Sequence, residues 1–253
     1  MSYISPTLKL LINAVKKASN SMNRDFSEIE RLLSSVKNHS DFVNSAFERV
    51  EKNLYFELAK VKSEFPVSKE LLKNSKTPYF VISSDGIDNF AHGMGLFTIC
   101  VAMCDAENNV LISLVYNPAM DELYFAEKGN GAYKEGFRNH ERLRVSSRKD
   151  IESAVVSTNF AYDKFSENLR VLGAVSLELA YLASGKFDAV VSRENNSANL
   201  AAGALLVKEA GGYVYELSQQ DIRSENVAKI FDSGNILAVN NSLSKKIHEL
   251  VNS

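Results

Sequence analysis

Between residues 8 and 18, Leu8, Leu10, Leu11, Ala14, Val15 and Ala18 recur at a three-and-four spacing that predicts one apolar face of a helix. A second stripe, Phe26, Ile29, Leu32, Leu33 and Val36, predicts a second helix. A third uses Phe47, Val50, Leu54 and Leu58, with Asp41 placed to cap it and Pro66 to stop it. Beyond residue 75 the period changes. Short apolar runs over residues 79–82, 96–103, 110–116 and 122–126 predict strands. Asn117-Pro118 marks a turn, Gly129, Gly131 and Gly136 punctuate a hairpin region, and residues 142–145 add a short piece. The rest of the chain alternates. Strands are expected over 154–157, 187–191, 213–215 and 236–239, and helices over 177–183, 198–210 and 243–251. Gly211-Gly212 closes the second of these helices, and a polar loop follows residue 215. Helices first, a large antiparallel sheet next and mixed segments last predict a layered α+β fold.

The 253 residues suffice for one large domain or two modest ones. A charged fraction of 24% with a net charge of −2 gives no global pull toward nucleic acid or an anionic membrane. There is no basic-then-apolar leader at Met1 and no apolar run of the ~18 residues a membrane helix needs, so a cytoplasmic protein is expected. Cys100 and Cys104 share a face of one predicted strand, too far apart to bridge, and read as small core residues in a reducing compartment. His39, His92, His140 and His248 are scattered, with no pair at metal-ligand spacing. Neither Gly-rich phosphate loop pattern occurs. Arg138, Arg142, Arg144, Arg148 and Lys149 read as a solvated strand-and-loop face, with an RNA or protein contact as the alternative. Asp85-Gly86, at the end of a predicted strand, is by itself a turn that would point one carboxylate into a cleft.

Three stretches together resemble the inositol monophosphatase family. YNPAMDELYFAEKGNGAYKEG (116–136) looks like its long β-meander signature, and NLAAGALLVKEAGG (199–212) is similar to its C-terminal motif. DGIDNFAHG (85–93) resembles its central motif, Asp-Pro-Leu/Ile-Asp-Gly-Thr-x-Asn-Phe. Asp41, Glu51, Arg170, Gly173, Ala180, Gly185 and Asp188 extend the match in order. The resemblance implies a layered αβαβα sandwich spanning residues 1–253 as a single domain. Residues 1–150 would supply helices and a large sheet, and 151–253 a smaller α/β part. It also implies a homodimer and a Mg²⁺-dependent phosphomonoesterase for inositol or sugar phosphates. In that chemistry Mg²⁺ ions held by carboxylate oxygens activate a water and neutralise the phosphate.

The chain departs from the family where that chemistry resides. The resemblance aligns the bridging metal aspartate with Ile82, the water-holding threonine with Ile87 and the C-terminal metal aspartate with Asn199. A supporting aspartate aligns with Phe47 and a substrate-contacting carboxylate with Ser192. The upstream Gly-Glu-Glu is replaced by VSKELLKNSK, whose one acid is Glu70. Asp85 is the metal aspartate that remains. Phosphate or substrate contacts would fall at Gly86, Ile87, Asp88, Gly173, Ala174 and Ser192, with Asp88 expected to cap the helix start itself and repel a phosphate. The expectation is therefore a catalytically impaired binding or regulatory relative, with Mg²⁺ absent or weakly held and no catalytic residue assigned. Its partner would be a protein or a small phosphorylated ligand, and neither a membrane nor nucleic acid. The alternative is an active phosphomonoesterase with a rearranged Mg²⁺ site built from Asp85, Glu70, Asp88 and Asn199.

Overall fold

The computed structural model describes residues 4–32, 39–161, 168–219 and 227–252. Three helices come first: α1 (Pro6–Ala18), α2 (Met22–Leu32) and α3 (His39–Val61). Ser5 caps α1, its Oγ accepting from the Leu8 amide at 3.2 Å, and Pro6 follows where no amide bond is lost. The expected α1 stripe is buried except Leu10, which is half exposed. All four stripe residues expected in α3 are buried. Asp41 lies inside the first turn of α3 rather than capping it. Leu33 and Val36 of the expected second stripe lie outside the described residues.

A short strand, β1 (Val67–Ser68), leads to β2 (Tyr79–Asp85), the five-residue helix α4 (Ile87–Ala91) and four further strands. These are β3 (Thr98–Cys104), β4 (Val110–Asn117), β5 (Glu122–Glu127) and β6 (Gly131–Lys134), with β7 (Glu141–Arg142) at the edge. The seven strands pair in chain order, antiparallel throughout except for β1 beside β2. Both faces are covered, so side chains of period two feed two cores. Phe80, Ile82, Ile99, Val101, Leu123 and Phe125 pack toward α1 and α3. Tyr79, Val81, Cys100, Ala102, Cys104, Tyr124 and Ala126 pack the other way. The two cysteines are free, buried and on one face, as their spacing predicts.

The remaining elements are β8 (Val156–Thr158), β9 (Leu169–Arg170), α5 (Val175–Ala183), β10 (Ala189–Ser192), α6 (Ser197–Glu209), β11 (Tyr213–Glu216), α7 (Val227–Ser233), β12 (Ile236–Val239) and α8 (Ser244–Asn252). The second sheet runs β11-β12-β10-β8-β9 and is mixed. Helices α5 and α6 lie between the sheets, their Leu177, Leu179, Leu200 and Leu206 sharing a core with one face of each. Gly203 lets them approach; a Cβ there would stand 2.4 Å from Leu179 Cδ1. The outer face of the second sheet packs on Leu243 and on Ile247 of α8. The order of layers is therefore α, β, α, β, α, an α+β arrangement. Gly211, at φ +86°, and Gly212 close α6, their amides donating to the Lys208 and Val207 carbonyls. The expected polar loop after β11 holds α7, whose Ile230 and Phe231 are buried; residues 220–226 lie outside the described residues. Among the described residues no helix is long and apolar enough to cross a membrane.

Candidate functional site

The last residues of β2 and the turn into α4 form the floor of a cleft whose far wall is α3. Gly86 turns the chain at φ +73°, and a Cβ there would lie 2.4 Å from the Leu96 carbonyl oxygen, so the turn requires glycine. Asn89 holds the next turn by donating to the Leu96 and Leu172 carbonyls at 2.8 and 2.7 Å. The cleft encloses about 270 Å³. Its apolar lining is Phe47, Leu54, Ile82 and Ile87. Its polar lining is Asn44, Glu48 and Glu51 from α3, Lys69, the Ser83 and Ser84 pair, and Asn196, which caps α6 by accepting from the Ala198 amide.

The apolar members are not isolated. Phe47 is 8% exposed and stands edge-on to Phe90, ring centroids 5.1 Å apart. Phe90 in turn meets Phe97 at 5.0 Å, and Phe26 touches both at 5.8 and 5.4 Å. Such offset aromatic pairs each contribute roughly 0.5–1.5 kcal/mol beyond their burial. The Phe47 side chain thus completes a four-ring cluster under the cleft.

Asp85 does not line the cleft, contrary to the expectation that its turn would point it there. Its Oδ2 accepts from the Ser176 amide and from the Ser176 hydroxyl, both at 2.8 Å, and its Oδ1 accepts from the Gly86 amide at 3.1 Å. The carboxylate ties the end of β2 to the first turn of α5. Behind it Thr98 Oγ1 lies 2.7 Å from Ser176 Oγ and 3.5 Å from Cys100 Sγ. With the Ser176 proton given to Asp85, Thr98 donates to Ser176 and the Cys100 thiol to Thr98. Burial pushes the Asp85 pKa up against the pull of these hydrogen bonds, and pushes the Cys100 thiol up to about 12.

The other sequence-selected residues are dispersed. Glu70 is exposed and lines a neighbouring groove of about 620 Å³ with Lys73, Glu107, Glu194 and Asp232; the groove shares Asn196 with the cleft, and Asp85 lines neither. Asn199 is 7% exposed in the first turn of α6 with its Oδ1 unpaired among protein groups; Asn196, one turn earlier, is the α6 residue that reaches the cleft. Asp88 is exposed in the first turn of α4 and does not cap it; the N-cap is Gly86. Its backbone carbonyl, not its carboxylate, meets His92, whose amide donates to it at 3.0 Å and whose Nδ1 lies 2.8 Å away. Ser192 is buried and donates to Asn195 at 3.0 Å. Gly173, at φ +70° against Asn89, and Ala174, the N-cap of α5, set up the Ser176 contact. Of the basic set, Arg148 is not merely solvated. It pairs with Asp188, a fully buried carboxylate that also accepts from Ser146, Asn240 and the Val155 amide.

Two groups escaped the sequence reading. Lys69, directly after β1, directs its ammonium into the cleft and meets Glu51 Oε2 at 3.0 Å. Glu178, 1% exposed in α5, accepts from the Leu172 amide at 3.1 Å through Oε1 while Oε2 has no protein partner. Burial first, and the neighbouring Asp85 charge as well, push its pKa up to about 7. A lysine beside a single glutamate, at the position where the resemblance puts two acids, was the available signal for the first; the second carried none. Among the described residues no group of three or more His, Cys, Asp or Glu side chains is placed to share a metal ion.

A model of the inositol monophosphatase family matches residues 4–253. The inositol-1-monophosphatase of Rhizobium meliloti is 33% identical, the alignment covering 98% of this chain and 96% of that protein. The Nus factor SuhB of Xylella fastidiosa is 26% identical over 85% of this chain and 84% of its own. Among solved structures, the extragenic suppressor protein SuhB of Bartonella henselae superposes with a TM-score of 0.82 at 28% identity, covering 99% of this chain and 100% of that one.

Proposed function

This chain belongs to the inositol monophosphatase family, and from that premise we propose that it is a catalytically impaired member, kept as a binding or regulatory protein. The observation that carries the reading is the chemical content of the cleft. The family reaction depends on Mg²⁺, and a hard divalent ion demands several charged oxygens in near-octahedral array. The donors that line this cleft are two glutamates, one already bound to an ammonium, together with neutral hydroxyls and amides. Ile82 and Ile87 offer hydrocarbon, and Asp85, outside the cleft lining, accepts from three protein donors. These residues do not fit Mg²⁺, and a phosphate ester would meet two glutamates balanced by one ammonium.

The chain would act as a single-domain homodimer in the cytoplasm, its two cysteines free and buried. Its ligand would be a protein or a small molecule held without metal. Relatives named Nus factor SuhB, a name that states no hydrolysis, accord with a scaffold used for something other than ester cleavage. The 33% identity to a protein named inositol-1-monophosphatase favours the second reading, a slow phosphomonoesterase with an altered metal site. Phosphate release from inositol phosphate and from a generic aryl phosphate, with Mg²⁺ or Mn²⁺, separates the two. The first reading expects release at the no-protein rate. Metal-dependent turnover that disappears in Asp85→Ala would overturn it.

A further inference from the structure

Lys69 reaches the cleft for a topological reason. β1 lies parallel to β2 with Ser68 opposite Val81, so the next residue leaves the sheet beside Ile82. From there the side chain spans to α3, where Glu51 accepts from it. We infer that Lys69 sets the ion specificity of the cleft, its tethered ammonium balancing Glu51 and keeping divalent cations out. The lining acids are Glu48 and Glu51, one helical turn apart, and the lysine is the one cation among the lining residues.

Magnitudes separate this role from a structural one. The Lys69 and Glu51 side chains are 62% and 34% exposed, and an ion pair so open to water contributes ~0–1 kcal/mol to folding. Its effect on an incoming ion is larger. A unit positive charge about 5 Å from a divalent ion costs roughly tenfold in affinity even at the dielectric constant of water. Proximity to Glu51 also raises the lysine's own pKa, first through their hydrogen bond, so the ammonium stays charged at neutral pH. What remains for a metal after Glu51 is paired is Glu48 and neutral oxygens.

The inference concerns the same cleft as the reading above and rests on it, but its test has a different readout. Mn²⁺ is titrated to millimolar levels into the full ¹⁵N-labelled chain, and paramagnetic broadening is followed at the amides of Asn44, Ser83 and Ser84. The native chain is expected to show no broadening there beyond that of surface amides generally. Lys69→Ala and Lys69→Glu are expected to broaden these signals, with Lys69→Glu binding Mn²⁺ about tenfold tighter or more. Lys69→Arg, which keeps the charge, is expected to exclude the ion as the native residue does. The same spectra report whether each variant is folded. Broadening in the native chain, or none in folded Lys69→Ala and Lys69→Glu, would overturn the inference. In the latter case an inactive native chain would leave the functional reading standing. Metal-dependent ester cleavage by the native chain would sink that reading instead.

Discussion

At the scale of single residues, the carboxylates show how environment decides role. Asp188 is fully buried yet meets Arg148, Ser146, Asn240 and a backbone amide, so its charge is satisfied. Asp85 is consumed by Ser176 and Gly86. Glu178 is the under-satisfied member, with one bonded oxygen and one bare one in the core. Its folded pKa of about 7 stands above the ordinary glutamate value of 4.5. The folded state therefore keeps a proton that the unfolded state releases, and stability is lost as pH rises from 4.5 through 7. A rise of that size corresponds to about 3 kcal/mol. Asp85, raised by its own burial, acts in the same direction. Urea unfolding at pH 5 and pH 8 should show the native chain weaker at the higher pH, and Glu178→Gln should remove up to about 3 kcal/mol of that difference. An equal pH difference in both proteins would mean Glu178 is not the group responsible.

At the scale of elements, Phe47 on α3 and Ile82 on β2, where the resemblance puts acids, supply packing. Phe47 meets Phe90 and Phe97, and Ile82 joins the core shared by α3 and the large sheet. Phe47→Asp, which installs the aspartate that the resemblance puts there, should cost about 3–5 kcal/mol or more, the range for emptying a buried aromatic site. Phe56→Asp on the exposed face of α3 should stay within roughly 0.5 kcal/mol of native. Denaturant midpoints of the two variants check this, and a Phe47→Asp cost under about 1 kcal/mol would show that the ring cluster carries little. Much of this was legible in the sequence. The stripes of α1 and α3 carry the helical period, β2, β3 and β5 show as short apolar runs, and Ile82, Ile87 and Phe47 depart from the resembled motif by residue type alone. What could not be read depends on distant contacts. Asp85 and Ser176 are 91 residues apart, so the capture of that carboxylate by α5 has no local signature. Helix α4 is five residues and α7 seven, too short for a periodic stripe to stand out. Asp88 looked like a cap because its type and position suit one, but Gly86 already occupies that place.

At the scale of the whole molecule, the cleft lies where the first helical layer meets the large sheet, at the outer seam of the αβαβα stack. Its floor and wall belong to the core formed by α1, α3 and the sheet, closed by hydrocarbon and aromatic rings. A fold that relied on a metal to neutralise acids at such a seam would be stabilised by that metal through mass action. An ion at a hundredfold excess over its dissociation constant adds about 2.7 kcal/mol. For a chain of this size that would raise Tm by roughly 5–10 °C. Here Lys69 balances one of the two glutamates at the seam, and Phe47, Ile82 and Ile87 fill it. Thermal unfolding in excess EDTA and in excess Mg²⁺ should therefore give Tm values within about 1 °C of each other, short of the several degrees that a bound ion confers. A rise of several degrees with Mg²⁺, saturating with concentration, would mean that an ion site survives in the folded chain and that the hydrocarbon in the cleft has not displaced it.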